Sequence, residues 1–252
     1  MTAPAWLDAD WPAPPGVRGL TTLRSGAGVS RPPFDRWNLG LRCGDEPADA
    51  RRNRVLLSQW LVLPSPPHWL QQVHGTGVVR FDAPPQVGDE PEPEADAAVT
   101  ATPGVVLAIL SADCLPVLLA AREGGEIAAA HAGWRGLAGG MLEATVAAMG
   151  TAALDMLAWL GPAAGPTAYE IGEEVRGAFV HHDAGAATAF VATRPGHWRV
   201  DLYALARRRL AACGVSEVHG GSHCTLSEPA RFFSHRRDGR SGRMATLAWI
   251  VP

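Results

Sequence analysis

The chain has 252 residues, of which 47% are hydrophobic, and a formal net charge of −3. All 22 of its Lys and Arg residues are arginines, because the sequence contains no lysine. This excludes catalysis through a lysine Schiff base and phosphate binding by a P-loop or kinase-type lysine. Any bound anion must therefore be held by arginine, by backbone N–H groups or by a metal ion.

Length and charge distribution predict one domain spanning residues 1–252 that acts on a small molecule. Neither half of the chain is basic, so nucleic acid and anionic membranes are not expected partners. The most apolar stretch, 105–121, is interrupted by Ser111 and Asp113 and is shorter than the ~20 residues that span a bilayer. The N-terminal segment lacks the features of a secretory signal, and the four cysteines form no CxxC pair. We therefore expect reduced thiols and a cytoplasmic location, whereas no pattern selects an oligomeric state.

The pattern of apolar residues predicts an α+β domain. Strands are predicted at 20–24, 69–73, 77–81, 105–110, 115–121, 127–130 and 244–251. Helices are predicted from 45–47 to about 61 and at 137–149, 173–180 and 202–212. A loop rich in proline and acidic residues is expected at 84–94. Because several strands follow one another without strict β–α–β alternation, mixed sheets are favoured over a doubly wound parallel fold.

Three short motifs place a reactive side chain at the end of an apolar strand. They are QQVHG at 71–75, SADCLP at 111–116 and AHAGWRG at 130–136. A polar group beside a buried strand costs free energy unless it is hydrogen-bonded or bound to a ligand. The three motifs together therefore predict one shared site.

His74, Cys114 and His131 carry the donor atoms that zinc prefers, which are imidazole nitrogen and thiolate sulfur. Their separations along the chain fit strand ends that converge in a sheet and do not fit a zinc finger or ribbon. Taken singly, each residue is more often a small buried side chain or a hydrogen-bonded histidine than a ligand. Their coincidence favours a metal site with three protein ligands and an open fourth position.

Arginines are the candidate phosphate ligands, because a guanidinium fork matches the oxygens of an anion. Arg135 follows His131 by four residues and directly precedes a predicted helix, whose first N–H groups also favour an anion. The other candidates are Arg24, Arg236 and Arg237, which lie beside predicted turn residues, and Arg54. A structural or solvated role is the alternative for each of them. Asp113, beside Cys114, is either an acid–base group or a turn-capping residue.

A series of short motifs runs in order along nearly the whole chain. They are GVS at 28–30, NLG at 38–40, GD at 44–45, NR at 53–54, QVHG at 72–75, ADCLP at 112–116, HAGWRG at 131–136, YEIG at 169–172 and FFSHRRD at 232–238. This series resembles the bacterial YfiH family, long labelled polyphenol oxidase or laccase-domain proteins. Two departures lie outside the expected metal ligands: Thr167-Ala168 replaces a frequent Cys-Cys pair, and His235 replaces the usual tyrosine.

The resemblance implies a layered α/β/β/α sandwich, similar to the catalytic domain of cytotoxic necrotizing factor, a cysteine hydrolase. It also implies a purine nucleoside phosphorylase that cleaves adenosine, inosine, guanosine and S-methyl-5'-thioadenosine, with adenosine deaminase activity at the same site. The zinc ligands of the family fall on His74, Cys114 and His131. Nucleoside and phosphate are then the small-molecule partners, with arginines positioning phosphate and Asp113 as the acid that protonates the departing base.

Two other enzyme hypotheses remain open. The same residues could form a cysteine hydrolase or amidase, acting for example on a peptidoglycan precursor. Cys114 would then be the nucleophile, His131 or His74 the base and Asp113 the residue that orients the base. A copper-dependent polyphenol oxidase is the weaker alternative, because none of the nine histidines forms a His-x-His pair. A binding protein without catalytic activity is also compatible with the sequence. Metal content and phosphate dependence are the measurements that separate these hypotheses.

Overall fold

The structure is a computed structural model that describes residues 5–86 and 91–252. Within these ranges the strands are β1 (Trp6–Asp8), β2 (Val17–Thr22), β3 (Pro67–His68), β4 (Val78–Arg80), β5 (Ala97–Thr100), β6 (Val106–Ser111), β7 (Leu115–Ala121), β8 (Ile127–Ala132), β9 (Met156–Leu160), β10 (Glu170–Gly172), β11 (Phe190–Arg194), β12 (His197–Val200), β13 (Glu217–Gly220) and β14 (Met244–Ile250). The helices are α1 (Pro47–Trp60), α2 (Trp134–Gly139), α3 (Met141–Ala148), α4 (Glu173–Val180), α5 (Leu202–Ala212) and α6 (His235–Asp238).

The strands form two large mixed sheets and a small one. The five-stranded sheet has the order β1-β2-β14-β6-β3, and only its β3–β6 pair is parallel among the described strands. The six-stranded sheet has the order β13-β9-β7-β8-β5-β4, with parallel pairs at both edges and antiparallel pairs between them. The small sheet, β10-β12-β11, is antiparallel.

The two large sheets pack face to face and each is covered by helices on its outer face. Alternation along β7 shows this, because Leu118 contributes to the core between the sheets while Val117 and Leu119 contribute to the core under the helices. On the opposite side, Leu57 of α1 packs against the outer face of the five-stranded sheet. A fully buried leucine contributes about 1.5–3 kcal/mol relative to an exposed one, so these layers provide the main stabilisation. The layered α/β/β/α arrangement with mixed sheets is confirmed.

Several predicted elements match the structure, and two do not. The predicted strand at 115–121 and the helices at 173–180 and 202–212 have the observed bounds. The predicted strand at 69–73 is wrong, because regular pairing covers only Pro67–His68, followed by a single bridge between Gln71 and Glu94. The predicted helix at 137–149 is divided into α2 and α3 at Gly140, whose φ of 100° ends the first helix in a left-handed turn.

Part of the predicted loop at 84–94, residues 87–90, lies outside the described residues, as do residues 1–4 at the N-terminus. At the described end of this loop, Glu92 forms ion pairs with Arg42 and Arg54, both at 2.7 Å. This end of the loop is therefore attached to α1 and to the segment before it, rather than only solvated. None of the helices in the described part of the chain is long and apolar enough to cross a membrane.

Candidate active site

Three different parts of the fold bring His74, Cys114 and His131 together. His74 lies in the loop between β3 and β4, Cys114 lies in the turn between β6 and β7, and His131 lies near the end of β8. Because Pro116 of β7 pairs with His131 of β8, the residues just before β7 lie beside the end of β8. The Cys114 Sγ and His74 Nε2 are 3.7 Å apart, and the ligand atoms of all three residues lie within 4.8 Å of one another. The predicted cluster is therefore assembled in space.

Asp96, directly before β5, holds two of these residues in place. Its buried carboxylate accepts hydrogen bonds from the backbone N–H groups of Val73 (3.2 Å), His74 (3.0 Å) and Gly75 (2.7 Å). It also accepts a hydrogen bond of 2.8 Å from the His131 Nδ1. One carboxylate thus fixes the His74 loop and the orientation of the His131 ring, leaving the His131 Nε2 for the site.

Without a metal ion, the pKa values of Cys114, His131 and Asp96 depend on one another. Burial tends to raise the pKa of the Cys114 thiol, but the charge of His131 and the hydrogen bonds from both histidines lower it to about 6. Burial tends to lower the pKa of His131, but the Cys114 thiolate and the bond to Asp96 raise it. Burial also opposes ionisation of Asp96, yet the hydrogen bonds from His131 and the His74 loop keep its pKa below the ordinary value. The site therefore favours a thiolate.

The local backbone is adapted to this geometry. His74 and Asp113 adopt positive φ angles of 62° and 86°, a conformation that non-glycine residues rarely adopt and that is concentrated at functional sites. At Gly133 a Cβ atom would lie 2.9 Å from the Cys114 Sγ and 3.1 Å from the His74 Cδ2. Only glycine leaves this space free, which accounts for the residue at that position in the AHAGWRG motif.

The donor set and its surroundings fit a metal ion. Two imidazoles and a thiolate form a three-ligand set typical of catalytic zinc, and the 3.7 Å between the Cys114 Sγ and the His74 Nε2 suits two ligands of one tetrahedral ion. The carboxylate–histidine contact of Asp96 with His131 is the outer-shell arrangement that orients metal-binding imidazoles. The space beside Gly133 keeps the sulfur uncrowded. A metal site is therefore compatible with the chain as folded.

A cleft of about 460 Å³ opens over the cluster. The residues lining it are Gly40, Leu41, Arg42, Cys43, Leu70, Gln72, His74, Leu110, Ser111, Ala112, Cys114, His131, Arg135, His235 and Arg243. A second groove of about 700 Å³ shares Arg135 with the cleft and also includes Glu170 and Arg236. Together they provide room for a small-molecule substrate next to the three ligand atoms.

Among the arginines named from the sequence, Arg135 lines the cleft. Its side chain is exposed, its guanidinium lies 4.5 Å from the centre of the Trp134 ring, and it forms no ion pair within the described part of the chain. Arg236 lines only the second groove, where its guanidinium donates to the Glu170 carbonyl (3.0 Å) and lies over Tyr169. Arg135 is thus the guanidinium best placed to receive an anion.

The structure does not bring Arg24, Arg54 or Arg237 to the described lining of the cleft. Arg24 donates to the Pro229 carbonyl, and Arg54 donates to the Leu39 carbonyl and pairs with a carboxylate. Arg237 donates to the carbonyls of Thr225 and Phe232 and to Asp238. These three guanidinium groups hold loops together through backbone carbonyls and carboxylates. One Arg54 nitrogen, Nη2, is buried and has no hydrogen-bond partner within the described part of the chain.

Asp113 is likewise engaged by neighbouring segments. Its Oδ1 accepts from the Thr225 hydroxyl at 2.6 Å, and its Oδ2 accepts from the backbone N–H of Arg236 at 2.7 Å. The carboxylate therefore connects the Cys114 turn to α6, an arrangement that matches the turn-capping alternative. It does not line the cleft in the described residues.

Four site components were not predicted from the sequence, namely Asp96 and the cleft-lining residues Arg42, His235 and Arg243. A signal for Asp96 was present in the sequence, since its carboxylate directly precedes the apolar run of β5. No local pattern distinguishes Arg42 and Arg243 from other arginines, because only the three-dimensional arrangement brings their loops to the cleft.

Residues 18–251 match the family model described as multi-copper polyphenol oxidoreductase laccase. A purine nucleoside phosphorylase of Xylella fastidiosa (strain Temecula1) is 62% identical over 98% of both chains. The purine nucleoside phosphorylase YfiH of Escherichia coli (strain K12) is 48% identical over 96% of this chain and 97% of its own. A crystal structure of a Neisseria meningitidis protein of the DUF152 family is 47% identical and superposes with a TM-score of 0.92, covering 99% of this chain and 100% of that one.

Proposed function

This chain belongs to the family described as multi-copper polyphenol oxidoreductase laccase, and from this premise we propose that it is a zinc-dependent purine nucleoside phosphorylase. The proposed substrates are adenosine, inosine, guanosine and S-methyl-5'-thioadenosine, with adenosine deaminase activity at the same site. The assembled cluster of His74, Cys114 and His131 beneath an arginine-lined cleft is the observation that carries the proposal. The names of the relatives, with full-length coverage, support the phosphorylase activity.

The chain's own residues would hold the ion through the His74 Nε2, the Cys114 Sγ and the His131 Nε2. When bound, zinc would supply Lewis-acid polarisation to a substrate oxygen or to water. Asp96 orients His131 through Nδ1 and fixes the backbone of the His74 loop, so that both imidazoles present their other nitrogen to the site. Zinc is favoured over copper because the donor set has three members and an open position, whereas multinuclear copper sites need many imidazoles.

Phosphate binding is assigned to Arg135. Its guanidinium is free of ion pairs with the described residues and lies between the cleft and the second groove. A charged hydrogen bond to an anion is about twice as strong as a neutral one, and the fork geometry orients the phosphate oxygens. Phosphate held there lies beside the cleft, from which it can attack C1′ of a ribose.

The test is a Cys114→Ala variant analysed for metal content and for phosphate-dependent conversion of adenosine. We expect the variant to lose bound zinc and to form neither adenine nor inosine, because one of three ligands is removed. Cys213→Ala is the matched control, since Cys213 lies at the C-terminal end of α5 outside the cleft lining. Full phosphorolysis by Cys114→Ala, or unchanged zinc content, would refute the shared metal site.

A second candidate is supported by one specific observation, the chain of contacts from Asp96 through His131 to a Cys114 thiol of lowered pKa. This arrangement is that of a cysteine hydrolase whose substrate is an amide, for example in a peptidoglycan precursor. The orienting carboxylate would be Asp96 rather than the expected Asp113, because Asp96 contacts His131 while the Asp113 oxygens accept from Thr225 and Arg236. Chelation separates the candidates. A phosphorylase that depends on zinc loses activity in chelator, whereas a cysteine hydrolase retains activity in chelator and loses it after alkylation of Cys114.

A further inference from the structure

His235 is the first residue of α6, and its exposed side chain lines the cleft over the metal-ligand cluster. We infer that His235 is the general acid that protonates the departing purine base, an inference that rests on the proposed phosphorylase function. Within the described part of the chain its imidazole has no hydrogen-bond partner, so both ring nitrogens are available to a substrate.

The position of α6 is fixed by its N-terminal cap and by hydrogen bonds to two other segments. The Asp113 carboxylate accepts the backbone N–H of Arg236, and the Ser234 hydroxyl accepts the N–H of Arg237. The Arg237 guanidinium donates to the Thr225 carbonyl at 2.6 Å. Since Asp113 directly precedes Cys114 in the chain, the helix that carries His235 is tied to the turn that carries the central ligand. His235 is thus held at a constant place relative to the cluster.

The other ionisable groups that line the cleft in the described residues are Arg42, Cys43, His74, Cys114, His131, Arg135 and Arg243. An arginine does not release a proton near neutral pH, so the three guanidinium groups are unsuitable as acids. The thiol of Cys43 donates to the Asn38 Oδ1 and the Gly40 carbonyl. The three remaining groups are the metal ligands.

Asp113, the acid expected from the sequence, is also unsuited to the role. Both of its oxygens already accept short hydrogen bonds, from the Thr225 hydroxyl and the Arg236 N–H. The carboxylate also does not line the cleft in the described residues, so it is not placed to protonate a substrate there. By elimination on contacts, His235 is the cleft group able to carry and transfer a proton.

The proton balance of the step is complete with one imidazole. The His235 imidazolium donates its proton to N7 of the purine as the N9–C1′ bond breaks, and the bonding electrons remain on the base. An oxygen of hydrogen phosphate forms the new C1′–O bond and releases its proton. That proton passes through solvent to His235 and restores the imidazolium, so the products are the neutral base and ribose 1-phosphate.

The test compares guanosine with 7-methylguanosine, whose N7 is already methylated and cationic and so needs no proton to leave. We expect His235→Gln to lower kcat/KM for guanosine about 100-fold, which is the lower end of the range for general acid catalysis. We expect the same variant to cleave 7-methylguanosine as fast as the unchanged protein does. His181→Gln, at the C-terminal end of α4 outside the cleft lining, is the matched control and should change neither rate.

Each outcome is decisive. An equal loss on both nucleosides would show that His235 acts on folding or binding, and an unchanged rate on guanosine would show that it transfers no proton; either result overturns the inference. If the unchanged protein cleaves neither nucleoside with phosphate, the phosphorylase activity itself fails, and the role of His235 fails with it. Selective loss on guanosine alone supports the assignment.

Discussion

Replacing Asp96 by asparagine tests the central element of the site. Each oxygen of the Asp96 carboxylate accepts two hydrogen bonds. Oδ1 accepts from the His74 N–H and the His131 Nδ1, and Oδ2 accepts from the Val73 and Gly75 N–H groups. Asparagine has one oxygen, so in either orientation its NH₂ group faces two of these donors. The substitution therefore removes acceptors without changing the size of the side chain.

The magnitude follows from the bonds that are lost. A hydrogen bond to a charged group contributes about 1.5–3 kcal/mol, so two lost bonds correspond to about 3–6 kcal/mol. Part of this loss is recovered if the new NH₂ group donates to the His131 Nδ1. That bond moves the ring proton to Nε2, the nitrogen that would bind zinc, and a wrong tautomer of this kind is costly at catalytic histidines. Removing an outer-shell partner typically weakens metal binding about 10–100-fold.

The assay measures both effects on the same preparations. Denaturant unfolding of the metal-free protein gives the loss in the free energy of unfolding, and competition with a chromophoric chelator gives the zinc affinity. Asp82→Asn is the matched control, because it makes the same chemical change at an exposed position. The reasoning is refuted if Asp96→Asn and Asp82→Asn have the same unfolding midpoint and the same zinc affinity.

Two further substitutions probe the phosphate site and the acid sensitivity of the fold. Arg135→Ala should raise the KM for phosphate about 10-fold or more, from the loss of a charged hydrogen bond, and an unchanged phosphate dependence in initial rates would remove Arg135 from the site. The Glu126 carboxylate is buried, which opposes its ionisation, but bonds from Arg80, Gly150 and Thr151 hold its pKa below the ordinary value. Its stabilisation is present above the unfolded pKa of about 4.3 and is lost as the pH falls through the lower folded value. Glu126→Gln should therefore have a lower free energy of unfolding than the unchanged protein at pH 7. Denaturant titrations at several pH values should show this difference in the free energy of unfolding shrink below about pH 4. A difference that stays constant with pH would contradict the assignment.

Much of the fold could be predicted because its strands are strongly patterned. β7 is apolar throughout and buried on both faces, which is why the run at 115–121 was located with its observed bounds. The strands of the C-terminal half were harder, since β11 and β12 form a small sheet whose residues are largely exposed or half-buried. These two strands are defined by their hydrogen-bonded pairing with each other and not by a pattern of apolar residues. The bounds of β3 could not be predicted for the same reason, because only two residues pair with β6 and no apolar pattern marks them.

The metal ligands could be predicted because each lies in a motif that departs from its apolar surroundings. His131 is a buried imidazole within an alanine-rich strand, and Cys114 follows an aspartate between two buried strands. The arginines could not be sorted in the same way. A guanidinium that holds a loop and one that faces a cleft have the same sequence signature, and only the contacts distinguish Arg237 from Arg135.

The absence of lysine limits which side chains can bind phosphate, and the contacts of the arginines limit them further. Three of the five arginines proposed for phosphate are committed to carbonyls or carboxylates, and Arg236 donates to the Glu170 carbonyl. The cleft contains two further guanidinium groups, but Arg42 is paired with Glu92 and Arg243 donates to the carbonyls of Ser241 and Gly242. An incoming phosphate therefore meets Arg135 as the uncommitted guanidinium of the described cleft. Since no lysine can replace it, phosphate affinity should depend on this one side chain more steeply than in a site with several free cations.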